Sequence, residues 1–190
     1  MCCGTKRLTV IQCPSDCVYL ASAREHPPAA VVRRQEQDVD RLVQFLHDLN
    51  TRQSQLFFLI GSFVARYKSP ELHPLIDDDV AEAAAALAAT FETAARGLIY
   101  DHRPASLPAD RLATGIKALL AEAAGNGGSA FDRDAGVVLR RVERAAREVR
   151  KSEPANRSAF LNLLGRMIRT PEESPSDRTA APERTRLIVP

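Results

Sequence analysis

Aromatic residues are scarce in this chain. Among 190 positions there are seven Phe, three Tyr and no Trp. A β-sandwich core draws heavily on aromatic and β-branched side chains, so a core of Ala, Leu and Val argues for helices instead. A strong charge of either sign is also missing. The chain has 26 basic and 24 acidic residues, a net charge of +2. That balance argues against an obligate nucleic-acid binder. Long apolar runs are absent too. The most apolar stretch, Leu56–Ala65 (LFFLIGSFVA), falls far short of the ~20 residues a helix needs to cross a bilayer. The N-terminal stretch MCCGTKRLTVIQCP lacks the apolar core of a secretory signal, which makes a cytoplasmic location the expectation.

Several chemical signatures are missing as well. There is no GxSxG nucleophile elbow, no HExxH and no Glu-x-x-His pair of the kind that holds two metals in a helical bundle. Gly125-Asn-Gly-Gly128 has neither the Lys-Ser/Thr nor the preceding strand of a phosphate loop. No repeat of fixed period is present. An enzyme therefore has no motif in its favour.

Cysteine is absent beyond residue 17, and all four cysteines fall before it. In a cytosolic chain, clustered thiols point to metal ligation or reduced cysteines rather than disulfides. The pattern is Cys2-Cys3-x9-Cys13-Pro-x2-Cys17, with His26 ahead of Pro27-Pro28. Structural Zn²⁺ is held in a tetrahedron whose ligands often come in closely spaced pairs, a spacing that Cys13 and Cys17 meet. Adjacent Cys2 and Cys3 do not easily ligate one ion together. The preferred set is Cys3, Cys13, Cys17 and His26, and Cys2 is the alternative fourth ligand. The weakly alternating Leu8–Ile11 reads as a short strand between the two corners of a zinc-knuckle-like module. An iron–sulfur cluster is the minor alternative, since the spacing fits neither ferredoxin pattern. Lys6, Arg7 and Arg24 would favour thiolates in a Zn site and in a redox-active site alike.

Residues 29–170 read as an all-α bundle of four to five helices. The first is expected to be long, over ~29–68, with Val32, Val39, Leu42, Leu46, Leu49, Leu56, Ile60, Phe63 and Tyr67 at 3/4 spacing. A second row is Val43, Phe57 and Val64, and the polar run Asn50–Gln55 is the place for a break. Half of the aromatics lie between Phe45 and Tyr67, which marks this stretch as core or as an interface. Further helices are expected over ~79–102, with Asp79 and Glu82 at capping-box spacing, and over ~107–124, with Ser106 as cap and Pro108 in the first turn. Two more are expected at ~131–151 and ~156–169. Residues 171–190 have the composition of a disordered tail, ending in the apolar Leu187–Pro190.

Charge is divided between helices. Asp77–Asp101 carries six acids against Arg96, while the ~131–151 helix is basic, with Arg140, Arg144, Arg147 and Lys151 toward one side. Oppositely charged helices are expected to pack as neighbours.

The leading expectation is a non-enzymatic zinc-binding helical protein that acts as an interaction or adaptor module. Its partner would be a protein, or a second copy joined through the first helix, with no membrane involved. One alternative is a nucleic-acid-binding regulator using the Cys-rich module of residues 1–28 and the basic helix. The other is a thiol-based redox sensor or metal-transfer protein.

Overall fold

The computed structural model describes residues 29–70, 74–125 and 128–168. Among them are six α-helices and no strand: α1 (Ala29–Leu46), α2 (Thr51–Arg66), α3 (Asp77–Ala94), α4 (Leu107–Ala124), α5 (Gly128–Ser152) and α6 (Ala159–Ile168). The all-α expectation therefore holds for the described residues. The chain divides into two units, Gln37–Ile168 and a second made of Met1–Glu36 with Arg169–Pro190. The packing below is that of the first unit. The Cys-rich module and the tail lie outside the described residues.

The expected long first helix is two helices. Leu46 ends α1, and Asn50 caps α2 with a reciprocal pair of bonds. The Asn50 side chain accepts from Gln53 N at 2.9 Å, and Gln53 Oε1 accepts from Asn50 N at 3.2 Å. These two bonds satisfy backbone donors that a continuous helix would have satisfied internally. Gln53 then reaches α5, donating to Asp134 Oδ1 at 2.9 Å. The break redistributes the apolar seam. Leu42 and Phe45 are buried on α1, whereas Val39 and Val43 are exposed. On α2, Leu56, Phe57, Ile60 and Val64 face inward, and Phe58 and Leu59 are partly exposed.

α3 packs most extensively on α5. The alanine-rich face of α3, with Ala81, Ala84 and Ala88 buried, has no bulky side chains to hold a neighbour away. At Gly136 of α5, an added Cβ would lie 3.4 Å from Glu92 Cγ and 3.8 Å from Ala88 O. The contact is thus close at backbone level, and the pairing of acidic and basic helices expected from sequence is present. Arg140 of α5 grips Glu92 of α3 with two bonds, 2.8 and 2.9 Å long. Gly115 brings α4 up to α2, where a Cβ would meet Phe63 Cζ at 2.7 Å.

α6 is fastened by a buried carboxylate from another helix. Asp77, with no solvent exposure, accepts from Phe160 N at 2.9 Å and Leu161 N at 3.1 Å. It thereby caps the first turn of α6 from the start of α3. Burial raises the Asp77 pKa, and the backbone donors oppose that shift without cancelling it. Arg166 near the other end of α6 holds the buried Asp38 of α1 through bonds of 2.6 and 2.8 Å. Arg41 of α1 pairs with Glu153, just beyond α5, at 2.7 Å.

Candidate interaction surface

The connection between α3 and α4, residues 95–106, projects an apolar tip from a fixed base. α3 stops at Ala94 rather than continuing to His102 as the apolar spacing of Leu98 and Ile99 suggested. Gly97 takes φ +81°, a left-handed conformation that costs glycine little. Gly97 N donates to Ala94 O at 2.8 Å and Leu98 N to Thr93 O at 3.0 Å. This pair of bonds is the Schellman termination, and it turns the chain away from the helix axis. Leu98, Ile99 and Tyr100 then lie outside the fold, with Ile99 fully exposed and the other two more than half exposed.

The chain returns under firm restraint. His102 N donates to Thr90 Oγ1 at 2.9 Å, and Asp101 pairs with Lys117 of α4 at 2.6 Å. Glu82 accepts from the backbone of both Ala105 and Ser106. Ser106 Oγ donates to Asp79 Oδ1 at 2.8 Å and caps α4 at Ala109 N. Asp79 itself reaches back to Ile76 N at 3.2 Å. The isoleucine N-cap has no side-chain acceptor, so only half of a capping box forms there. Asp79 and Glu82, expected to start α3, thus also anchor the far end of this loop. The Tyr100 ring meets the His102 ring edge-on, with centroids 4.7 Å apart.

A groove of about 540 Å³ begins beside the same turn. It runs between the C-terminal end of α3 and the outer face of α5. Five arginines line it: Arg96 from the turn, and Arg133, Arg140, Arg141 and Arg144 from α5, with the half-exposed Val137 among them. Three of the five are held by their surroundings. Arg140 binds Glu92 and also Glu143 at 3.0 Å. Arg141 donates to Phe45 O at 3.1 Å, with Asp48 at 3.7 Å. Arg144 binds Glu148 at 2.6 Å. Arg96 and Arg133 carry no ion pair among the described residues. The Arg140 guanidinium holds the Glu92 carboxyl below the ordinary glutamate value, and the two carboxylates in turn push Arg140 upward.

The residues expected to hold a metal, Cys3, Cys13, Cys17 and His26 with Cys2 as the alternative, all lie outside the described residues. Among the described residues, no group of three or more His, Cys, Asp and Glu side chains could hold a metal ion. No described helix is long and apolar enough to cross a membrane. The basic face of α5 was legible from its sequence. The projecting tip was not, because its residues continue the helical spacing of α3. The signal that marks it is Gly97, placed where a helix terminates.

Comparison with protein-family models, with curated proteins and with solved structures finds no match for this chain.

Proposed function

We propose that this protein is a non-enzymatic helical binding module that docks a protein partner through the Leu98–Tyr100 tip. The observation that carries the reading is the fully exposed Ile99 on a loop whose two ends are tied down. Single exposed apolar residues are ordinary, but three in a row on a restrained projection form an anchor that becomes buried only in a complex. A restrained loop also loses little conformational freedom on binding.

The test is site-specific photo-crosslinking in the expressing cell. A photoreactive residue at position 99 should give discrete heavier adducts. The same residue at the exposed position Glu122 of α4 should not. An adduct of twice the chain mass would identify a second copy as the partner. Identical patterns from the two positions would contradict the reading.

The Cys-rich segment belongs to the proposal on sequence grounds. Zn²⁺ held by Cys3, Cys13, Cys17 and His26, or with Cys2 as fourth ligand, would order a segment with few apolar residues in a reducing cytoplasm. Protein purified without added metal should contain about one Zn per chain, lost in Cys13→Ser and Cys17→Ser. Metal-free protein that was kept reduced and fresh would refute it.

A further inference from the structure

We infer that the groove between α3 and α5 takes an acidic, amphipathic peptide segment of a partner protein. Arg96 and Arg133 would hold its carboxylates, while Val137 and the Leu98–Tyr100 tip meet its apolar side chains. The inference rests on the tip being a docking surface and adds the chemistry of what docks.

The charge arrangement selects this ligand. Arg140, Arg141 and Arg144 are already held by Glu92, Glu143, Asp48, Glu148 and the Phe45 carbonyl, so they form a preorganised wall. Arg96, beyond the end of α3, and Arg133, on α5, make no ion pair among the described residues, although the Arg96 charge helps hold the Glu92 carboxyl low. A planar guanidinium fork binds a carboxylate with two parallel bonds. Two unpaired forks therefore match a segment offering a few carboxylates at intervals.

A nucleic acid fits less well. Duplex DNA presents a charge every ~1.7 Å and is bound by neutralising many phosphates. Here two cations carry no ion pair among the described residues, and the Glu92 carboxylate in the groove wall would repel a continuous phosphate backbone. The apolar element decides in the same direction. Val137 sits among the arginines, and Leu98, Ile99 and Tyr100 follow Arg96 by two to four residues. Apolar and cationic contacts in alternation are what an amphipathic segment with an acidic polar face satisfies.

The test uses the full chain and three labelled peptides of about twelve residues with one apolar face and a polar face of Glu, Gln or Lys. A single-stranded oligothymidylate of about 20 nucleotides completes the set. The Glu-faced peptide should bind at least about tenfold more tightly than the Gln-faced one, and the Lys-faced peptide and the oligonucleotide more weakly than both. The preference should disappear in the Arg96→Glu/Arg133→Glu chain. It should persist in Arg66→Glu/Lys68→Glu, which changes net charge equally on exposed residues elsewhere.

Equal affinity for the Glu and Gln peptides, a preference that survives the groove reversal, or tighter binding of the oligonucleotide would overturn the inference. Ile99→Asp separates the two readings. If it weakens both peptides while the Glu preference is absent, the tip stands and the groove inference falls. If it changes nothing while the groove reversal removes the preference, the tip reading falls. If no peptide binds at millimolar concentration, the groove inference falls, and crosslinking at position 99 decides the tip.

Discussion

Asp77 serves two helices at once, opening α3 and capping α6. Three consecutive aspartates at 77–79 announce a helix start, where negative charge complements the helix dipole. In the fold, Asp77 also accepts from the backbone of α6, more than eighty positions away. Asp77→Ala should cost about 1–3 kcal/mol in urea unfolding, since it leaves buried donors without a partner. The pH dependence has a definite sign. Burial raises the folded-state pKa above the ordinary 3.8, so the folded state holds the proton more tightly. This contribution to stability is present below 3.8 and is lost as pH rises through the raised value. Asp77→Asn should remove that part of the slope.

At the scale of the element, periodicity was informative inside helices and silent at their ends. Ser106 and Pro108 mark the start of α4, and Gly125 its end, because capping chemistry is local and those residues perform it. The seam from Leu42 to Ile60 runs through a break without losing its spacing. There the reciprocal bonds of Asn50 and Gln53 outweigh helix continuity. Asn50→Ala should therefore destabilise the fold by about 1 kcal/mol, measured by denaturant unfolding. A neutral outcome would mean that packing of Leu56 and Phe57, not the cap, sets the start of α2. Leu98 and Ile99 show the opposite failure. Their spacing extends the face of α3, yet the glycine before them ends the helix and turns them into solvent.

For the whole molecule, the division of charge along the sequence was the most reliable guide to tertiary structure. It placed α3 against α5. It did not show that most of the basic face of α5 would be consumed by pairing within the chain, which requires knowing where Glu92, Asp48 and Phe45 lie. The same pairing predicts acid sensitivity. Glu92 has its pKa lowered by Arg140, so its contribution is present above the ordinary 4.5 and is lost as pH falls through the lowered value. Both partners are substantially exposed, which keeps the effect small. Glu92→Gln should flatten the acid limb of the stability profile and leave stability near neutrality only slightly reduced. An unchanged acid limb would assign acid sensitivity to other carboxylates, Glu153 beside Arg41 among them. The candidate metal ligands, by contrast, are legible only as a spacing pattern in residues outside those described, and the zinc content of the purified protein is their test.

On the proposed reading, the restrained apolar tip of Leu98–Tyr100 is covered by a partner. The decisive measurement is photo-crosslinking from position 99, compared with position 122 in the same cells and read by mass. Docking through the tip gives discrete adducts from 99 that are absent from 122. Adducts that are absent from both positions, or the same at both, would contradict it.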